Sequence, residues 1–169
     1  MSTRFLLDTD VVSNLRKAKP HPRLLAWLRA VPRDAVFMAV ATVTEIQCGI
    51  DQVDDPGVAQ GVQHWLDGLL GDGHPRVAAF GARAAVLLGR MWAMPSLNNF
   101  IVNDPRSRKV RTGADLAIAA TAIAQGMAVA SGNTRDFLEI HAVFPLPGLF
   151  NPFAGHWAID PLPREQAPS

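Results

Sequence analysis

The sequence is poor in cysteine and in charged residues, and each shortage argues against a class of protein. Its single cysteine, Cys48, has no second cysteine to pair with, so a disulfide-stapled domain is excluded and we expect a reducing compartment. Only 18% of the residues are charged and the net charge is +1, so the overall charge does not indicate the strongly basic surface typical of nucleic-acid-binding proteins. The five histidines are scattered, and none pairs with cysteine at the spacing of a zinc site.

A membrane-spanning run is lacking as well. Residues 116–133 are uncharged over 18 positions, but they are rich in alanine and interrupted by Thr121, Gln125 and Gly126, so we expect no span. Near the start, Asp8 and Asp10 interrupt the apolar run, which is untypical of a signal peptide. Hydrophobic residues make up 49% of the 169, enough for one domain with a sizeable core. We expect this domain over residues 3–150 and a proline-rich C-terminal tail over 151–169.

Short apolar runs alternate with helical patterns along the chain. Runs at 5–7, 35–41 and 127–130 predict buried strands, and a last short strand is expected at 142–144. Helical patterns fall at 11–18, 23–31, 42–53, 58–70, 75–92 and 114–125. This alternation predicts an α/β fold with a central parallel sheet flanked by helices on both faces. Because Trp27, Trp65 and Trp92 sit at helical spacing among leucine and alanine, we expect them in the core.

Four acidic residues stand where one element gives way to the next. Asp8 follows the first strand, Glu45 follows the second and Asp136 the third, while Asp115 lies at the start of the central helix. The carboxyl ends of parallel strands meet at one edge of a sheet, where ligands bind. Carboxylates that converge there raise one another's pKa unless a cation neutralises them. Hard oxygen ligands of this kind suit Mg²⁺ or Mn²⁺ better than Zn²⁺.

Each acid alone also has a structural explanation. Thr42 and Glu45, like Thr112 and Asp115, have the spacing of a helix capping box, and Asp8 can cap the first helix. Helix capping does not explain why several acids share one end of one sheet.

Three stretches resemble the motif blocks of a known family. FLLDTDVVSNLRK, ATVTEIQCGI and TGADLAIAATAIAQGMAVASGNTRDF look like the three blocks of PIN-domain ribonucleases, most nearly the VapC and FitB-like toxins of bacterial type II toxin–antitoxin pairs. The blocks occur in the family's order and cover most of residues 5–137. The resemblance implies an Mg²⁺-dependent (or Mn²⁺-dependent) endoribonuclease with a PIN-like fold, and the lone cysteine leads us to expect it in the cytoplasm. It also implies a homodimer and a small antitoxin, with DNA contacted only through that antitoxin.

The resemblance also assigns residues. Asp8, Glu45 and Asp115 match the family's first three acids, and the fourth position falls on Asn133 with the carboxylate of Asp136 nearby. The implied catalytic residues are Asp8, Glu45, Asp115 and Asp136, and the implied metal ligands are Asp8, Asp115, Glu45 and Asn133. Residues expected to support these ligands by hydrogen bonds are Thr9, Thr112, Ser13 and Asn14. A dense basic run is expected to contact RNA or an acidic partner: Arg106, Arg108, Lys109 and Arg111.

Two other functions stay open at this point. The stretch LLDTD resembles the strand-end motif of haloacid-dehalogenase-like phosphatases, in which Asp8 would be a covalent nucleophile. Such an enzyme needs a positioned lysine, and neither Lys17, Lys19 nor Lys109 has a suitable setting. The third hypothesis is a catalytically inactive PIN-fold binding protein. It is supported by the presence of an amide, Asn133, instead of an acid at the fourth position of the site.

Overall fold

A mixed sheet of six strands runs through the part of the chain that is described, residues 2–102 and 112–161 of the computed structural model. Its strands are β1 (Phe5–Leu7), β2 (Val36–Ala39), β3 (Arg76–Ala78), β4 (Ala128–Ala130), β5 (Leu149–Asn151) and β6 (His156–Ile159). They lie in the order β3-β2-β1-β4-β5-β6, and every neighbouring pair is parallel except β5 and β6. The predicted central parallel sheet is confirmed, with one antiparallel strand added at its edge.

Helices cover both faces of this sheet. They are α1 (Thr9–Leu15), α2 (Pro22–Ala30), α3 (Val40–Asp51), α4 (Pro56–Gly71), α5 (Ala82–Trp92), α6 (Ala114–Gln125) and α7 (Thr134–His141). Alternate residues of a strand face opposite sides. Leu6 and Val129 therefore belong to a core shared with α5, α6 and α7, whereas Phe5, Leu7 and Ala130 join a second core shared with α1 to α4. The prediction of helices on both faces is confirmed.

The central helix α6 and strand β4 follow the predicted bounds closely. Gly126 ends α6 in the left-handed conformation, with φ of 62°, which glycine adopts without the steric cost of a Cβ. Seven of the helix's residues are buried, and the chain then enters the fully buried β4. The helix begins after Gly113, which is also left-handed, so a short turn of special geometry precedes the acidic end of α6.

The single helix predicted over residues 75–92 is wrong. Residues Arg76–Ala78 form β3, which pairs in parallel with β2, and the helix begins only at Ala82, after Gly81. Pairing with the exposed edge of β2 supplies backbone hydrogen bonds that the local sequence does not reveal. Tertiary pairing therefore overrides the local helical pattern here.

The strand predicted at 142–144 is wrong as well. The amides of Val143 and Phe144 donate to the carbonyl of Ile140, at 3.0 and 2.8 Å, so these residues close the end of α7 instead of extending. The next strand is β5, which turns back through residues 152–155 into β6. The sheet thus continues through this hairpin, past the boundary expected at residue 150.

The aromatic side chains tie the hairpin to the rest of the molecule. Trp157 stacks on Phe5 with ring centroids 5.7 Å apart, and Phe150 lies 5.4 Å from Trp27. Trp27 and Trp65 pack against the core as predicted. Trp92 does not, since it is 53% exposed at the end of α5. Among the described helices, none combines the length and apolarity needed to cross a bilayer.

Candidate active site

An acidic cleft of about 620 Å³ lies at the carboxyl ends of β1, β2 and β4, next to the elements that follow these strands. Five carboxylates line it: Asp8, Asp10, Glu45, Asp115 and Asp136. The structure therefore brings together all four acids that the sequence singled out, although they come from three different helices and one strand end. Asn133, Thr9, Thr112 and Ser13 line the same cleft.

Asp8 is the most deeply placed of the acids, at 4% exposure. As predicted, it caps α1: its Oδ1 accepts from the Thr9 amide at 2.7 Å. Its Oδ2 accepts from the Ser131 hydroxyl at 2.6 Å. Burial raises the pKa of Asp8 well above its ordinary value, and the negative charges of Asp10 and Asp115 raise that pKa further. The hydrogen bonds from Ser131 and Thr9 act in the opposite direction without cancelling the rise.

Asp10 lies in the first turn of α1 and reaches the turn after β4. Its Oδ2 accepts from the Gly132 amide at 2.8 Å, whereas its Oδ1 is buried and has no hydrogen-bond partner. Burial raises the pKa of Asp10, while hydrogen bonds lower it, that from the Gly132 amide first among them. A Cβ on Gly132 would lie 2.8 Å from Asp10 Oδ2 and from the ring of Phe153. Only glycine fits this contact between α1, the turn and the C-terminal hairpin.

Glu45 is held in the cleft by two threonines. The Thr9 hydroxyl donates to its Oε2 at 2.6 Å, and the Thr112 hydroxyl donates to its Oε1 at 3.3 Å. The capping box expected between Thr42 and Glu45 is wrong, because α3 begins two residues before Thr42 and the Thr42 hydroxyl donates instead to the carbonyl of Leu7, at 3.3 Å. Glu45 is thereby free of a capping role and lies one turn into its helix.

Asp115 lies in the first turn of α6 and lines the cleft. The residue that caps α6 is Gly113 and not Thr112, so the capping box expected there is also wrong. The Thr112 oxygen accepts from the Ala114 amide at 3.3 Å while its proton points to Glu45. Thr112 thus links the start of α6 to the carboxylate on α3.

Asn133 and Asp136 form a pair at the start of α7. The Asn133 side-chain amide donates to Asp136 Oδ2 at 2.7 Å, and the Asn133 backbone amide donates to the Ser131 hydroxyl oxygen at 2.9 Å. Ser131 is completely buried and joins this pair to Asp8. Sequence reasoning missed Ser131, although its position directly after a buried strand marked the same edge of the sheet.

The remaining expected site residues divide by position. Ser13 lines the cleft, but Asn14 is not among the lining residues, and its Oδ1 accepts from the His21 amide at 2.8 Å. Asn14 therefore fixes the connection between α1 and α2. The expected basic contacts lie outside the described residues: Arg106, Arg108, Lys109 and Arg111.

The donor set of the cleft fits a hard divalent cation. Among the described residues that line it, every charged group is a carboxylate and none is a histidine or cysteine. Burial raises the pKa values of Asp8 and Asp10, and a bound cation would favour the ionised forms of both carboxyls. The buried Oδ1 of Asp10, which has no hydrogen-bond partner among the described residues, is a further oxygen that a cation would suit. Among the described residues, no group of three or more Asp, Glu, His or Cys side chains lies in an arrangement that could hold a metal ion as it stands. The fit rests on donor chemistry and charge.

A mostly parallel sheet with helices on both faces and acids at its carboxyl edge is the architecture expected of the PIN-domain class. No protein-family model matches the chain. It is 32% identical to VapC ribonuclease Y4jK of Sinorhizobium fredii over 132 residues, which span 78% of this chain and 89% of that one. A shorter stretch of 45 residues, 27% of this chain and 32% of the relative, is 36% identical to toxin FitB of Neisseria gonorrhoeae. The chain belongs to the VapC ribonuclease family.

Solved structures share the fold. The FitAcB structure from Neisseria gonorrhoeae superposes with a TM-score of 0.65 at 23% identity, over 88% of this chain and 98% of that one. VapBC-1 from nontypeable Haemophilus influenzae gives a TM-score of 0.56 at 20% identity, over 82% and 92%. Because the chain belongs to the VapC ribonuclease family, the haloacid-dehalogenase-like phosphatase alternative is not supported.

Proposed function

We propose that this chain is a metal-dependent endoribonuclease that hydrolyses RNA phosphodiester bonds and acts as the toxin of a toxin–antitoxin pair. The observation that carries the proposal is the convergence of Asp8, Glu45, Asp115 and Asp136 on one cleft in a chain of the VapC ribonuclease family. Mg²⁺ is the expected cation, and Mn²⁺, with similar ligand preferences, is expected to replace it.

Asp8, Glu45 and Asp115 are the residues that would hold the cation, with the Asn133–Asp136 pair completing the acidic wall. A bound divalent ion supplies a water of lowered pKa and offsets the charge that develops on the phosphate and the leaving oxygen. The protein's own part is to keep its carboxylates in fixed orientations. Ser131 does this for Asp8, and Thr9 and Thr112 do it for Glu45. No side chain serves as a nucleophile in this scheme.

The partners follow from the same family. Structural neighbours include FitAB bound to a DNA fragment and VapBC bound to a promoter fragment, which are toxin–antitoxin complexes. We infer that this chain likewise binds a small antitoxin, forms a homodimer and meets DNA only through the antitoxin. A cytoplasmic location stays a prediction from the lone cysteine.

RNA cleavage by the purified chain, with Mg²⁺ or Mn²⁺ and with EDTA, tests the proposal. Asp115→Asn removes one charge from the cleft, and Asp54→Asn, in an exposed loop, is the matched control. Cleavage should require metal and fall at least about 100-fold in Asp115→Asn, at or beyond the upper end of what loss of a supporting hydrogen bond to a ligand costs. The control should cleave like the wild type.

Two results would count against the proposal. Cleavage that persists in EDTA and in Asp115→Asn would mean that the acidic cleft is not the source of the activity. Mn²⁺ binding without cleavage of any RNA would instead favour the inactive PIN-fold binding protein.

A further inference from the structure

Asp10 is the fifth carboxylate of the cleft, and the scheme above gives it no role. It lies two residues beyond Asp8, in the first turn of α1. One of its oxygens, Oδ2, is fixed by the Gly132 amide at 2.8 Å. The ring of Phe153 packs against the backbone of Gly132, so closely that a Cβ added there would lie 2.8 Å from the ring. The carboxylate of Asp10 is therefore held on one side by a closely packed turn.

The other oxygen of Asp10 is in the opposite situation. Oδ1 is buried and accepts no hydrogen bond of good geometry within the described chain, although the Val11 and Asn133 amides lie near enough to the carboxyl to lower its pKa. Buried polar atoms are nearly always paired, because an unpaired one loses its water without compensation. Among the described residues that line the cleft, no lysine, arginine or histidine is present to pair with this oxygen. Buried charged groups in proteins are paired with another charge or bind a metal ion, so an ionised oxygen in this setting is suited to a bound cation.

We propose that Asp10 Oδ1 is an additional ligand of the divalent cation, alongside the carboxylates of Asp8, Glu45 and Asp115. This inference rests on the proposed metal-dependent function and adds a residue to it. The competing role for Asp10 is purely structural, in which it holds the Gly132 turn and takes no part in binding the ion. The two roles use different oxygens of the same carboxylate, so one substitution separates them.

The substitution is Asp10→Asn. An asparagine keeps an oxygen that can accept from the Gly132 amide, and it places a nitrogen that cannot bind a cation where the second oxygen was. Mn²⁺ binding to the metal-free 169-residue chain is measured by calorimetry without RNA, for wild type, Asp10→Asn and Asp54→Asn. The shift in melting temperature on adding Mn²⁺ gives a second readout. Near-UV circular dichroism shows whether each variant is folded. If Asp10→Asn does not fold, the same Mn²⁺ titration is made with Asp10→Ser.

A ligand role predicts that Asp10→Asn weakens Mn²⁺ binding at least about tenfold, the lower end of the cost of losing even an indirect partner of the metal. Asp54→Asn should bind like the wild type. A folded Asp10→Asn protein that binds Mn²⁺ within twofold of wild type would overturn the Asp10 assignment and leave the proposed function standing. A wild-type chain that takes up no Mn²⁺ would overturn both.

Discussion

Replacing Ser131 with alanine tests whether the buried hydrogen bonds of the cleft hold its geometry. The Ser131 hydroxyl is completely buried, donates to Asp8 Oδ2 at 2.6 Å and accepts from the Asn133 amide at 2.9 Å. Alanine removes both bonds and leaves a carboxylate oxygen and an amide without these partners. Water can replace them only in part, because Asp8 is 4% exposed.

The size of the effect follows from the kinds of bond lost. A hydrogen bond to a charged group contributes about 1.5–3 kcal/mol and a neutral one about 1 kcal/mol, and bonds that share an atom do not add fully, so we expect a loss of roughly 2–3 kcal/mol. The cost should be greatest near neutral pH, where more of the Asp8 carboxyl is ionised. At acidic pH a protonated Asp8 makes weaker hydrogen bonds, and the cost should shrink.

Urea unfolding in EDTA, followed by circular dichroism, measures this loss as a change in midpoint at constant slope. Ser96→Ala, at an exposed serine, is the matched control and should change stability by less than about 0.5 kcal/mol. A Ser131→Ala protein as stable as the Ser96→Ala control at neutral pH would refute the view that this hydroxyl joins β4 to Asp8.

Three further substitutions test other parts of the site. Gly132→Ala should lower the free energy of unfolding in urea by about 1–3 kcal/mol, because the added Cβ would lie 2.8 Å from atoms of Asp10 and Phe153. The control Gly49→Ala, where no atom lies within 4 Å of the added Cβ in α3, should raise it by roughly 0.5–1 kcal/mol. Equal effects of the two substitutions would contradict the close packing at Gly132. The raised pKa of Asp8 favours folding below the unfolded pKa, and this contribution disappears as pH rises through the folded pKa. Asp8→Asn should therefore raise the free energy of unfolding of the metal-free chain, measured in urea, near pH 7–8 but not near pH 4. A gain in stability that does not change with pH would contradict a raised pKa of Asp8. Thr9→Val, which removes the donor to Glu45, should slow RNA cleavage by about 10- to 100-fold while Thr9→Ser keeps most of the activity; wild-type cleavage by the valine variant would exclude the contact.

The sequence by itself determined the elements whose signals are local. Uninterrupted apolar runs marked β1, β2 and β4, because strands buried on both faces need no polar residue. An alanine-rich pattern closed by Gly126 marked α6 and its end. Acids placed directly after strands, such as Asp8, could be assigned to one edge of the sheet, since parallel strands bring their carboxyl ends together.

The tertiary structure decided everything that depends on pairing between distant parts of the chain. The edge strand β3 and the β5–β6 hairpin exist because neighbouring strands offer them hydrogen bonds, not because their own residues demand extension. Ser131 meets Asp8 across 123 positions, and Thr9 meets Glu45 across 36. Local spacing suggested helix caps for Glu45 and Asp115, and only the packing of α1, α3 and α6 around one cleft turned those acids toward each other. A side-chain hydrogen bond is set by the distance between two backbones, and that distance is fixed by the sheet and its cores rather than by either local sequence.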